Sequence, residues 1–191
     1  MENNKKRYIH LSKKKIRALK DKSQNKIPCD KPKGLWIAKE KDWINFIDKN
    51  SGKETYGNIY KIIIKAPLTK KLKENNQNKV LKVGTVKSLD KFISKYGKED
   101  KIDWLTVSKD FDGILFEPYY KELDSNKYKW YKTLDVPSGC IWNKKAMDVE
   151  FIYEHLKPKK IVRFNIENKV ENKNLDKLGK TLNETKSFQL S

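Results

Sequence analysis

The side chains able to do chemistry in this chain are few and widely spaced. His10 lies in a short apolar run, Tyr8-Ile9-His10-Leu11, and Ser12 follows. A histidine there, at the end of a strand, can have one ring nitrogen fixed by the backbone and offer the other as a donor to a ligand ribose. Gly34-Leu35-Trp36 puts a residue without a Cβ just before a large flat ring, which lets a ligand approach and stack. Asp112-Gly113-Ile114 and Glu117-Pro118-Tyr119 bracket a short apolar run, so each carboxylate stands at the edge of a buried strand. Asp135-Val136-Pro137-Ser138-Gly139-Cys140 gathers an acid, a hydroxyl and a thiol ahead of Ile141-Trp142-Asn143. Cys140 could act as a nucleophile if its thiolate were favoured. The two histidines are His10 and His155, and the sequence sets neither beside it. Each of these residues also has a plainer reading: a half-buried strand histidine, a core tryptophan, an Asp-Gly turn, an inert thiol.

Composition narrows the classes. A P-loop, GxGxxG, HExxH and GxSxG are all missing, which removes the readily recognised nucleotide, metalloprotease and hydrolase signatures. Two Cys and two His with no CxxC or CxxH pair exclude a zinc site of Cys/His type, and no metal is expected. The thiols are expected free, in a reducing compartment. No apolar run approaches a membrane span, and the charged start Glu2 to Arg7 leads into no signal-like apolar stretch. An intracellular, cytoplasmic protein that meets no membrane is expected. The formal charge is +19, with 44 Lys and Arg against 25 Asp and Glu. Such a field attracts nucleic acid or another polyanion. The bases are almost all lysine, which lacks the fork that reads guanine edges, so sequence-specific DNA reading is not expected. The lysine, asparagine and isoleucine bias fits an AT-rich source, as in some viruses.

The elements that must position these residues follow from periodicity and punctuation. Strands are predicted at Tyr8–Leu11, Gly34–Ala38, Ile59–Ile64, Val80–Val83, Gly113–Phe116, Tyr128–Leu134, Cys140–Trp142 and residues 162–166. Helices are predicted after Ser12 on Ile16 and Leu19, after Asp42 on Trp43, Phe46 and Ile47, and after Ser88 on Leu89, Phe92, Ile93 and Tyr96 up to Gly97. A short helical turn over Asp103–Val107 and a last helix capped by Asp148, on Ile152, Tyr153 and Leu156, complete the set. Asn50 to Gly57 and Pro137-Ser138-Gly139 read as turns, and Lys70 to Lys79 as a loop or poor helix. The order is mixed, with no long βαβ series, so the prediction is a single α+β domain over 5–167 and a polar, disordered tail over 168–191. An aromatic fraction of 11 % predicts an aromatic-rich core.

Taken in order, these pieces resemble the ADP-ribosyltransferase superfamily in its His-Tyr-acid branch, across Tyr8 to Met147. Tyr8-Ile9-His10-Leu11-Ser12 is similar to the first strand of that family. Gly34-Leu35-Trp36-Ile37-Ala38, with Trp43 and Phe46 behind it, is similar to its aromatic strand and helix. Ile59-Tyr60-Lys61-Ile62, Phe111-Asp112-Gly113-Ile114 and Cys140-Ile141-Trp142-Asn143 are similar to its later elements. The resemblance implies a mostly antiparallel split β-sheet with short flanking helices. It implies NAD as substrate and transfer of ADP-ribose to a protein or nucleic-acid acceptor. His10 would hold the adenosine-side ribose, and Trp36 would stack on nicotinamide. Ser12, Gly34, Tyr60 and Ser138 would complete the NAD site. The family acid, which supports oxocarbenium character, falls where this chain has Ser138 and Gly139, so Asp135 or Glu117 would supply the carboxylate. The alternative is a non-catalytic basic protein that binds nucleic acid through lysines and exposed aromatic rings.

Overall fold

The computed structural model describes residues 7–49, 57–72, 76–123 and 125–154. The strands are β1 (Tyr8–Ser12), β2 (Leu35–Lys39), β3 (Asn58–Ile64), β4 (Leu68–Thr69), β5 (Val80–Val83), β6 (Gly97–Lys98), β7 (Lys101–Ile102), β8 (Gly113–Phe116), β9 (Ser138–Ile141) and β10 (Met147–Glu154). The helices are α1 (Glu40–Lys49), α2 (Val86–Tyr96), α3 (Trp104–Asp110) and the single turn α4 (Lys129–Lys132). Eight strands form one mixed sheet in the order β10-β3-β1-β2-β9-β8-β5-β4, and β6 and β7 form a separate hairpin. Neighbours are antiparallel from β10 to β8 and parallel across β8, β5 and β4. The architecture is α+β, dominated by one large, mostly antiparallel sheet with few helices.

The sheet is bonded in one row and is not divided into halves. What parts is one contact inside it. β1 meets β2 only at Tyr8↔Lys39 and Ile9↔Ala38, although each strand has five residues. On its other side β1 pairs with β3 over all five, from Tyr8↔Ile62 to Ser12↔Asn58. Beyond Ile9, then, β1 stays with β3, and β2 goes with β9, through Leu35↔Ile141 to Ala38↔Ser138.

Alternation along the strands divides the core in two. One face carries Ile37, Tyr60, Ile62, Val80, Leu115, Ile141 and Met147, with Ile16 and Leu19 packed on it from the segment after β1. The other carries Leu81, Val83, Ile114, Phe116 and Cys140, covered by α2, α3 and α4 through Phe92, Tyr96, Trp104, Trp130 and Tyr131. Phe92 meets Trp104, Phe116 and Trp130 at centroid distances of 5.9, 6.0 and 5.9 Å. The expected aromatic-rich core is this layer. Truncating one of its buried rings to Ala would cost about 3–5 kcal/mol.

Several local expectations are corrected. Ser12 caps no helix. It ends β1 and closes a turn, its Oγ donating to Lys14 O at 2.6 Å, and Ile16 and Leu19 reach the core from an irregular segment. Helix α1 begins at Glu40, so Asp42 lies in its first turn, where a carboxylate favours the positive end of the helix dipole. Helix α2 is capped by Thr85, not Ser88: the two side chains exchange bonds with each other's backbone N–H at 3.0 Å, a capping box worth about 1 kcal/mol. Tyr128–Leu134 is a helical turn, because Tyr128, Tyr131 and Leu134, three apart, all turn into the aromatic layer. Ser138 and Gly139 belong to β9 instead of a turn. The segment after Asp148 is an edge strand, held to β3 by register and by ion pairs Lys61–Glu150 and Lys65–Asp148, both at 2.7 Å. The predicted strand at 162–166, the tail, Leu156, His155 and most of the Asn50–Gly57 turn lie outside the described residues.

Candidate functional site

The parting of β1 from β2 exposes a backbone acceptor, the Trp36 carbonyl, and His10 takes it. Its Nδ1 lies 2.7 Å from Trp36 O. A carbonyl only accepts, so this contact puts the proton on Nδ1 and leaves Nε2 as an acceptor. No described residue bonds Nε2. Burial lowers the His10 pKa below its ordinary value, against a smaller opposite effect of the Trp36 carbonyl, and keeps the ring neutral. The nitrogen offered to a ligand is thus an acceptor, the reverse of the donor that a strand-end histidine suggests. A ribose hydroxyl can donate to it.

Trp36 leads from this opening into a cleft. Lys31, Trp36, Trp43, Leu134, Asp135, Val136 and Ser138 line a space of about 140 Å³. Lys31 Nζ stands 5.8 Å above the Trp36 ring. Trp43 comes from α1, its ring edge-on to Phe46 at 5.8 Å, and its indole N–H is buried without a partner among the described residues. Asp135 enters from the turn before β9 with φ +35°, a left-handed conformation that Asp tolerates better than most residues. Trp36, Asp135 and Ser138 therefore line one cleft. Lys31 and Trp43 are additions: Trp43 reads as a core position of an amphipathic helix, and Lys31 as one lysine among many.

The remaining expected residues lie elsewhere. Tyr60 faces His10 across β1 and β3, with ring centroids 6.4 Å apart, but its hydroxyl accepts the Ile16 N–H at 2.7 Å and its ring is buried. His10 shares the Tyr60 face of the sheet, whereas the register Trp36↔Cys140 puts the indole on the opposite face. The two rings thus flank the parting from either side. Gly34 serves packing: a Cβ there would come within 2.5 Å of Cys140 Sγ and 2.6 Å of Ile141 O. Asp112 pins the β8–β9 end, accepting from Trp142 N, Asn143 N and Asn143 Nδ2 at 3.1, 3.2 and 3.0 Å.

Glu117 is buried at the end of β8, on the face opposite Ser138. It accepts the Tyr8 hydroxyl at 2.6 Å, pairs with Lys39, and has Lys82 at 3.7 Å. Burial raises the Tyr8 pKa, so the phenol stays protonated as the donor. These bonds tie the first residue of β1 to the ends of β2 and β8 and leave the Trp36 cleft to Asp135. Cys140 is fully buried in the aromatic layer, and desolvation drives its pKa well above the ordinary thiol value. It has no thiolate to offer as a nucleophile. Among the described residues, no group of three or more His, Cys, Asp or Glu could hold a metal ion, and no helix is long and apolar enough to cross a membrane.

No family model, no curated relative and no solved structure matches the chain.

Proposed function

We propose that the chain binds NAD across the parting of β1 and β2 and transfers ADP-ribose from it. The observation that carries this reading is the alignment of four strands. β3, β1, β2 and β9, which bear Tyr60, His10, Trp36 and Ser138, are consecutive in the sheet, and the β1–β2 ladder stops where His10 reaches the Trp36 carbonyl. His10 Nε2 accepts from a ribose hydroxyl. Trp36 and Trp43 offer flat faces to the nicotinamide ring. The cleft of about 140 Å³ matches one six-membered ring, since a protein cavity of ~150 Å³ takes up benzene. The unpartnered Trp43 N–H suits a carboxamide oxygen. Asp135, an exposed residue on the cleft's rim, supplies the negative charge that cleavage of a glycosidic bond to nicotinamide requires.

Calorimetric titration of NAD into the wild type and into His10→Ala tests this. Saturable binding by the wild type, weakened at least ~10-fold in the variant, which is about 1.4 kcal/mol, supports the site. Absence of heat from the folded wild type at millimolar NAD refutes it.

A further inference from the structure

The segment joining β1 to β2 is the most basic stretch of the described residues. Residues 13–33 hold nine bases, Lys13, Lys14, Lys15, Arg17, Lys20, Lys22, Lys26, Lys31 and Lys33, against Asp21 and Asp30. All nine are exposed. None forms an ion pair with a described residue. Six lysines elsewhere, Lys39, Lys61, Lys65, Lys82, Lys95 and Lys127, each have a carboxylate. Asp21, itself exposed, accepts the Lys144 N–H at 2.8 Å.

Nor is this segment a loose loop, although it has little regular structure. Its backbone is pinned to the fold at intervals. Ile16 N donates to Tyr60 Oη at 2.7 Å, and Lys22 N donates to Trp142 O at 2.9 Å. Gln24 bonds both Lys33 N and Lys33 O, at 2.8 and 2.7 Å. Cys29 O accepts Trp104 Nε1 at 2.9 Å. A held backbone with unpaired cations binds a polyanion without first having to be ordered.

We propose that this strap is a docking surface for single-stranded nucleic acid, held by its phosphates. Eight of the nine bases are lysine, suited to point contacts with phosphate and not to reading base edges. The strap holds no helix that could enter a major groove. It starts just after His10 and ends at Lys31 and Lys33 beside the Trp36 cleft. A cleft that admits one flat ring accepts a base only from an unstacked strand. The phosphate contacts of the strap stand apart from the NAD reading and would remain if that reading failed, whereas a base in the cleft would take the place of the nicotinamide ring. If both hold, the strand is the acceptor of the transferred group.

The test is fluorescence anisotropy of the full chain with a labelled single-stranded oligonucleotide of about 12 nucleotides, from about 50 to 200 mM salt. Two triple variants are compared. Lys13→Gln with Lys20→Gln and Lys26→Gln neutralises the strap, and Lys87→Gln with Lys91→Gln and Lys98→Gln removes the same charge from exposed positions on α2 and β6. The strap variant should weaken binding at least ~10-fold at low salt. It should also flatten the log–log salt slope by about 2, at roughly 0.7 per lost phosphate contact. The control variant should stay within ~2-fold of wild type. Equal losses in the two variants would overturn the proposal, as would equal affinity for a duplex of the same sequence or for polyglutamate. NAD titration into the strap variant keeps the two ideas separate: binding unchanged there leaves the NAD site intact whatever the oligonucleotide does.

Discussion

His10 Nδ1 stands 2.7 Å from the Trp36 carbonyl oxygen, at the point where β1 and β2 cease to pair. A side chain here fills a place that a backbone N–H fills in an unbroken ladder. The imidazole both closes the gap and keeps Nε2 for something else. Because burial holds the ring neutral, protonation works against the fold. The unfolded chain takes up its proton near the ordinary value of 6.5, whereas folded His10 resists until lower pH. Between those two points the unfolded state binds more protons, so stability rises with pH. Urea denaturation of the wild type should show stability falling as pH drops below 6.5, and His10→Asn, which can still donate to Trp36 O, should lose most of that slope. A variant with the wild-type slope would mean that His10 does not titrate in this window.

Glu117 is expected to matter for stability and not for ligand binding. It is buried and holds Tyr8, Lys39 and Lys82 from three strands. Glu117→Gln keeps the shape but removes the charge, leaving two partly buried ammonium groups with less to pair with. A loss of about 2–3 kcal/mol follows, measured as a lower urea midpoint at unchanged slope. NAD affinity should stay within ~2-fold. A variant as stable as wild type would show that the clamp contributes nothing net.

Much of the sheet was legible and much of the helix chemistry was not, for physical reasons. β3 and β8 announce themselves as β-branched or apolar runs between Gly and Pro. The Tyr128–Leu134 and Asp148–Tyr153 segments were misread in opposite directions. Each is a short aromatic and aliphatic run compatible with either period, and the deciding partner, the aromatic layer in one case and β3 in the other, is distant in sequence. The site was legible in part. His10, Trp36 and Ser138 stand out by type within short strands, and Asp135 in the turn that leads into one. Trp43 was hidden because an i, i+3, i+4 pattern marks it for a core. At Gly34 the close approach visible in the structure is that of Cys140 and Ile141.

The two thiols should separate cleanly. Cys140 is fully buried with its pKa well raised, and Cys29 is partly exposed with Sγ 3.3 Å from Lys31 O. A chromogenic disulfide reagent should titrate one thiol in the native protein and both in denaturant. Cys29→Ser should abolish the native reaction, and Cys140→Ser should spare it. Rapid native labelling of Cys140 would contradict its place in the aromatic layer and reopen it as a nucleophile.

Asp135 bears the sharpest consequence of the transfer reading. It is the carboxylate that lines the cleft with Trp36, Trp43 and Ser138, and its φ of +35° is a conformation that glycine adopts without strain. A residue kept there for its backbone would be improved by Asp135→Gly, and one kept for its charge would be disabled by it. Asp135→Gly should therefore be as stable as wild type or more so, by up to about 1 kcal/mol, while release of nicotinamide from NAD falls at least ~100-fold. Asp135→Asn, with the shape retained and the charge removed, should lose activity to the same degree and bind NAD within a few-fold of wild type. Chromatographic assay of released nicotinamide, run beside thermal melts, reads both quantities. Full activity in Asp135→Asn would remove the carboxylate from the reaction and leave Trp36 and His10 as a binding site without chemistry.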